Sequence, residues 1–403
     1  TSSLAYFESL GDYRLIESFA DKLRAVKPDD ISAAACRYLS PSACSLQEYV
    51  PHNSPPPRGK ADALRAIQSA ADTGTADAAD AAPRSIPAPA VSFGGDPSAP
   101  DRPAAVFTPG SGATAIVMER HRLPLVSIGV YFRGGRILET PADAGITRLA
   151  LSAASKGTAR RSAERIQDEI ALLGARMSSG SGPDYSSFRL SCLSEKLASA
   201  ADVLADIILN PAFPEGEVEK ERATQIARIQ RTRDSMYHYP MQLVRRAAYG
   251  DHPYGFPPSG YEETVRGFTR EQLEEHYAGL VRARDALVVI VGDVDARAAV
   301  DLLSEKLDGM ADGGGAPAAP AAVGFTPGVK VERRKKAQTA QAFAFAAGPA
   351  GMQEAPALDV LINIASGMGG RLYNEVREKR NLAYTVRAGL ELNADAGLIV
   401  NYA

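Results

Sequence analysis

A break in composition constrains this chain more than any motif does. Residues 52–103 open on His52-Asn53-Ser54-Pro55-Pro56-Pro57 and run to Pro103 dominated by Ala, Asp, Pro and Gly, with few large apolar side chains. Such a stretch cannot bury enough apolar surface to offset the entropy of ordering it, so it reads as a linker, with room for one short helix at 61–71. A second break starts at Asp312-Gly313-Gly314-Gly315-Ala316-Pro317 and ends at Pro327, giving a linker over 312–327. No single continuous core can span these breaks. The globular pieces left are 1–51, 104–311 and 328–403. A chain of 403 residues, 45% hydrophobic and 23% charged, has material for two or three domains.

The first piece is too short to build a core alone, and it resembles a later segment. Leu23-Arg24-Ala25-Val26-Lys27-Pro28-Asp29-Asp30-Ile31 aligns with Val265-Arg266-Gly267-Phe268-Thr269-Arg270-Glu271-Gln272-Leu273, an offset of 265 − 23 = 242 residues that also sets Leu39 against Val281. Each copy reads as an apolar pair, a turn, a helix start, a helix and a strand-like run. Thr269 and Gln272 have the spacing of a capping box, which marks the helix start in the second copy. The chain is therefore expected to hold the end of one unit and a fuller copy of a related one. It opens at Thr1 in a helix-like segment and closes at Ala403 inside a strand-like run, so both ends are expected to be cut and the last sheet to be incomplete.

The middle piece alternates strands and helices. Leu125–Phe132 reads as a strand, and Phe188, Leu190 and Cys192 alternate with polar neighbours as a half-buried strand does. Ala286–Val291 reads as a buried strand closed by Gly292-Asp293. Ile166, Ile170 and Leu173 make a helical stripe that Gly174 stops, and Leu197, Ala201, Leu204 and Ile208 make another, ended by Asn210-Pro211. A long charged helix is expected from Glu217 to Arg233. The fold class is α+β, with mixed sheets and helices packed on one face.

Composition also excludes. A net charge of −3 without a long basic run leaves no electrostatic footprint for nucleic acid. No run approaches about 18 uninterrupted apolar residues, so no transmembrane helix is expected. Cys36, Cys44 and Cys192 form no CxxC pair, and their odd number argues against a disulfide framework; they read as small buried residues.

Several separated motifs, in order, carry a resemblance. They are Gly134-Gly135-Arg136-Ile137-Leu138-Glu139; Gly145 through Lys156-Gly157-Thr158; Asn210-Pro211-Ala212-Phe213 with Glu217, Glu219 and Glu221; and His252-Pro253-Tyr254-Gly255. Val291-Gly292-Asp293-Val294 comes next, then Gly369-Gly370-Arg371-Leu372 and Glu375-Val376-Arg377-Glu378-Lys379-Arg380-Asn381-Leu382-Ala383-Tyr384. Together they resemble the pitrilysin/insulinase family of zinc peptidases and imply its pitrilysin/LuxS-like metallohydrolase fold. Active members carry His-x-x-Glu-His on a helix. The histidines, four apart, share one face and reach one zinc, the glutamate between them acts as base, and a downstream glutamate completes the ligands. Anchored on Gly145 and Lys156-Gly157-Thr158, that motif falls on Arg148-Leu149-Ala150-Leu151-Ser152. Arg148 and Ser152 stand in the histidine positions, Leu151 in that of the base, and Arg228, seven after Glu221, in that of the downstream ligand. An arginine is a permanent cation and a leucine has no donor pair, so this degenerate site is expected to hold no metal. The five histidines (His52, His121, His238, His252, His276) have no metal-binding spacing on any one helix, and His252 and His276 are expected as surface or loop residues with local hydrogen bonds.

In tandem members of the family the C-terminal half is catalytically degenerate and closes over the zinc half, contributing an arginine and a tyrosine to the chamber. The resemblance carries those roles onto Arg377 and Tyr384. Arg377 can donate two hydrogen bonds to a carbonyl or carboxylate, and Tyr384 can donate to an oxygen on which charge develops. Gly369 and Gly370 are expected to permit a tight turn before that helix. Lys379 and Arg380 read as a solvated face. The resemblance thus implies a non-catalytic half of a zinc metalloendopeptidase, inactive alone. Its zinc would be held outside this chain, in an upstream half on the same chain or in a partner subunit, and its partners would be extended peptides added to a sheet edge. The alternative is a non-catalytic scaffold of a peptidase complex. The resemblance points to a periplasmic or secreted protein.

Overall fold

The computed structural model describes residues 25–40, 44–51, 104–108, 113–311 and 323–403 except 368, with isolated positions at 19, 21–23 and 65. Most of both expected linkers, and nearly all of the short helix at 61–71, lie outside the described residues. In chain order the described part opens with helix α1 (Pro28–Tyr38) and strand β1 (Cys44–Pro51).

Strands β2 (Ala105–Phe107), β3 (Thr114–Glu119), β4 (Leu125–Arg133), β5 (Arg176–Ser181), β6 (Tyr185–Leu193) and β7 (Ala286–Gly292) form one sheet in the order β2-β3-β7-β4-β6-β5. β3 runs parallel to β7, and the other pairs are antiparallel. Period-2 alternation decides what faces the core. Val126, Ile128, Val130 and Phe132 of β4 and Phe188, Leu190 and Cys192 of β6 turn to one face and are buried there. Helices cover that face: α2 (Ile146–Ala154), α3 (Ala163–Leu172), α4 (Leu197–Leu209), α5 (Glu215–Asp234), then α7 (Glu262–Gly267), α8 (Arg270–Leu280) and α9 (Ala296–Lys306). Each fully buried Leu, Ile or Phe there contributes roughly 1.5–3 kcal/mol. Among the described residues, the opposite face carries a small cluster around Ile116, Tyr131 and Val289.

A second sheet takes β8 (Val329–Arg334), β9 (Ala340–Ala347), β10 (Arg387–Leu392) and β11 (Gly397–Tyr402) in the order β10-β11-β9-β1-β8. β1 lies parallel to β8 and antiparallel to β9, as β7 lies parallel to β3 and antiparallel to β4. The two sheets thus share one topology, with β1 in the slot that β7 fills in the first. The sheet expected to be incomplete has its gap closed by a strand from far upstream. Its faces are both covered: Ala340, Ala342, Ala344, Leu398 and Val400 pack on Met241, Val244 and Ala248 of α6 (His238–Tyr249), while Phe345, Ala347 and Ile399 pack on α1 and on α10 (Ala355–Ala365).

Polar contacts fix the sheets to each other. Asp184, in the turn between β5 and β6, accepts from the Tyr254 hydroxyl at 2.6 Å and from the Ala394 N–H at 3.0 Å in the β10–β11 turn. Arg245 of α6 makes a bidentate pair with Glu391 of β10. Burial pushes the Asp184 carboxyl up and the hydrogen bonds from Tyr254 and Ala394 oppose it.

Candidate functional site

Helix α2 forms because Ile146, Leu149, Ala150 and Ala153 recur at helical spacing and all are buried against the first sheet. Its N-cap, Gly145, has φ +98°, and a β-carbon there would meet Gly260 Cα and Ser259 O at 2.8 Å, so only glycine fits. Having no side chain, Gly145 cannot cap the helix; the buried Glu139 does so instead. Its Oε2 accepts from the Gly145 N–H at 2.8 Å and its Oε1 from the Thr147 N–H at 3.2 Å. Burial, only partly opposed by these bonds and by the Arg136 charge, pushes the carboxyl up to about 7. From α5, the buried Gln225 donates to the carbonyls of Gly145 at 2.9 Å and Ser259 at 3.0 Å, which locks α5 against the start of α2.

On this frame the four motif positions separate by chemistry. Leu151 is 1% exposed and belongs to the apolar core. Arg148 and Ser152, four apart, are half-buried on the other side of α2, and Arg228 is exposed on α5. Burial lowers the Arg148 pKa, and the positive charges of Arg228 and Arg136 lower it further. The helices thus bring Arg228 into the electrostatic field of Arg148, and the shared chemistry is cationic. Zinc does not fit this donor set: two guanidiniums repel it, and Leu151 offers no donor atom. Among the described residues no three His, Cys, Asp or Glu side chains are grouped to hold a metal ion. Beside Ser152 a groove of about 260 Å³ runs between Lys156, Ile170, Met177 and Glu221, and Lys156 pairs with Glu221 at 3.2 Å.

His276 departs from expectation. It lies on α8 rather than in a loop, and its Nε2 is 2.9 Å from Thr147 Oγ1, so its partner is on another helix. Burial lowers its pKa and favours the neutral ring. His252 has the local bond expected of it, Nδ1 accepting from the Tyr254 N–H at 3.2 Å, but its Nε2 is buried without a hydrogen bond. Sequence reasoning passed over Arg136, which is 7% exposed with an unpartnered Nε, and over Gln225. Only placement on the motif lead-in could have drawn attention to Arg136.

The second group gathers at the other end of the chain. Arg377 lies in a π-helical turn, Tyr373–Glu378, a form often found at functional positions. Its guanidinium carbon stands 4.8 Å from the Tyr373 ring centroid and 4.2 Å from that of Tyr384, and its Nη1 donates to the Tyr384 carbonyl at 3.1 Å. Tyr384 is 80% exposed and Leu382 73%. Gly370 approaches the backbone so closely that a β-carbon would lie 2.4 Å from Ser366 O, whereas one at Gly369 would meet open space. β10 starts three residues past Tyr384. Among the described residues it pairs only with β11, which leaves its other edge open.

The fold defines a class: paired α+β units of the metallopeptidase type that share one sheet topology. Sequence comparison agrees. Residues 115–259 match the insulinase family, peptidase family M16, and residues 267–403 match the peptidase M16 inactive domain. The chain belongs to the pitrilysin/insulinase family. It is 26% identical over 298 residues to the uncharacterized zinc protease YmxG of Bacillus subtilis, covering 73% of this chain and 72% of that protein. It is 30% identical over 305 residues to the uncharacterized zinc protease SCO5738 of Streptomyces coelicolor, covering 72% and 66%. A peptidase M16 inactive domain from Pseudomonas fluorescens has a similar fold, with TM-score 0.65, 22% identity and 74% of each chain covered. So has a protease from Helicobacter pylori, with TM-score 0.68, 17% identity and coverage of 75% and 74%.

Proposed function

We propose that this chain is the non-catalytic half of a zinc metalloendopeptidase, which closes over extended peptides while a zinc site outside it, on an upstream half or a partner subunit, hydrolyses them. The observation that carries the reading is the Arg377–Tyr384 pair. Arg377 is held between two aromatic rings, and the Tyr384 ring is left to solvent beside the open edge of β10. Backbone pairing along such an edge binds peptides with little regard to sequence, which suits a protease for extended or unfolded chains. Arg377 then grips a carbonyl or carboxylate, and the Tyr384 hydroxyl donates to a peptide oxygen that gains charge as the bond breaks.

The test is Arg377→Ala in the enzyme assembled with its zinc half. Peptide cleavage should fall roughly 100-fold, the effect of removing one such donor, with zinc content unchanged. Unchanged cleavage sinks the assignment. A second reading, a scaffold in a peptidase complex, is favoured by the loss of metal donors at Arg148, Leu151, Ser152 and Arg228. Under it, Arg377→Ala and Tyr384→Phe both leave cleavage untouched, and only assembly depends on this chain.

A further inference from the structure

Strand β10, whose open edge the proposed function uses, is held on its inner edge, on both faces and at its far end. β11 pairs along the inner edge, from Arg387↔Tyr402 to Leu392↔Gly397. Alternate residues divide between the faces. Ala388, Leu390 and Leu392 pack on the cluster shared with α1 and α10. Arg387 and Glu391 turn to α6: the Arg387 guanidinium carbon stands 5.6 Å from the Tyr237 ring centroid, and Glu391 takes the bidentate pair from Arg245, with Nε to Oε2 at 2.7 Å. The far end is fixed from the first unit. In the β10–β11 turn the Ala394 N–H donates to Asp184 Oδ2 at 3.0 Å and the Asp395 N–H to the Tyr254 hydroxyl at 3.3 Å, while that hydroxyl donates to Asp184 Oδ1 at 2.6 Å. Tyr254 thus donates and accepts at once, and both carboxylate oxygens of Asp184 are taken. Both anchors are themselves fixed. The Gly134 N–H donates to the Asp184 carbonyl at 2.7 Å and the Ile137 N–H to the Pro183 carbonyl at 2.9 Å. Tyr254 is buried, with its ring edge-on to those of Tyr249 at 5.7 Å and His252 at 4.7 Å.

A strand with one neighbour opens locally more readily than a central one, and a peptide that must order such a strand before pairing with it loses affinity to that cost. We infer that Asp184 and Tyr254 are positioning residues for peptide capture. They hold the far end of β10 against the turn between β5 and β6, and so keep its open edge preformed as a template for an incoming strand. Neither needs to touch the peptide, since both act through Ala394, Asp395 and β10. This role rests on the peptide-gripping function proposed above, and it assigns part of the affinity for peptide to a contact between the two units.

The experiment compares the protein with Tyr254→Phe and Asp184→Asn in binding a fluorescently labelled, extended peptide rich in Thr and Val, read by anisotropy, with hydrogen exchange of Arg387–Leu392 followed in parallel. Tyr254→Phe keeps the packed ring and removes both bonds of the hydroxyl. Affinity should fall roughly tenfold, the worth of one or two hydrogen bonds, and exchange in β10 should quicken. Asp184→Asn, nearly isosteric, keeps one acceptor oxygen and should fall between; it carries the test should Tyr254→Phe fold poorly. In the enzyme assembled with its zinc half, KM should rise by a similar factor with kcat unchanged, because capture is weakened and the chemical step is not. A merely structural role would lower the melting temperature of both variants and leave affinity and KM as they are, and that result overturns the assignment. So does faster exchange in β10 without loss of affinity. Failure of the peptide-gripping reading looks different: the unaltered protein then binds no peptide, and both assignments fall. If instead the unaltered protein binds and Arg377→Ala weakens binding while these two variants do not, only the positioning role is lost.

Discussion

Glu139 shows how a single side chain can set a pH response. It is buried, it caps α2, and its carboxyl is raised from 4.5 to about 7. Between those values the unfolded chain has released the proton and the folded chain retains it, so the folded state binds more protons. Stability from this group is therefore fully present below about 4.5, falls as pH rises toward 7, and is constant above it. The whole effect is at most about 3 kcal/mol. His276 works in the opposite sense, since its depressed pKa costs stability as pH drops below 6.5. The clean measurement is thus the difference between the protein and Glu139→Gln, followed by denaturant unfolding from pH 4.5 to 8. The difference should slope across that window and flatten above it; a flat difference throughout would show that Glu139 is ionised in the fold. The Glu139 role was only half legible in the sequence. Its place in a motif could be read, but its raised carboxyl depends on burial, which only the folded chain supplies.

At the scale of elements, the 242-residue offset is reproduced in geometry: α1 and α8 begin at Pro28 and Arg270, and β1 and β7 at Cys44 and Ala286. The correspondence reaches single bonds. The Lys27 N–H donates to Asp30 Oδ2 at 2.8 Å, and its counterpart, the Thr269 N–H, donates to Gln272 Oε1 at 2.8 Å. The copies differ in the reciprocal bond, because Thr269 offers a hydroxyl oxygen to the Gln272 N–H and Lys27 has none to give. Thr269→Ala should therefore cost about 1 kcal/mol in chemical denaturation, with no change in the site arginines. A loss of several kcal/mol would mean that Thr269 has a tertiary role. Helix starts of this kind are legible because capping is chemistry over four residues. The π-helical turn at Arg377 is not, since no local pattern distinguishes it from an α-helix.

Across the whole molecule, the central slot of the second sheet decides the outcome. β1 supplies ladders to both β8 and β9, and without it those strands face each other across an empty position. Unpaired edges of this kind recruit other chains. Deleting residues 28–51 should expose the amides of Ala340–Ala347 to hydrogen exchange and shift the protein toward oligomers on size exclusion. A monomer with those amides still protected would show that the sheet does not depend on this strand.

Periodicity, capping and side-chain chemistry act over a few residues, and they suffice for the elements, the repeat and the family. Three other features needed the folded chain. The strand Cys44–Pro51 closes a sheet built mostly of residues after 328, Arg136 is buried with an unpartnered Nε, and the charge of Arg228 reaches Arg148. Burial and charge proximity are sums over the folded surroundings, and no stretch of chain contains them.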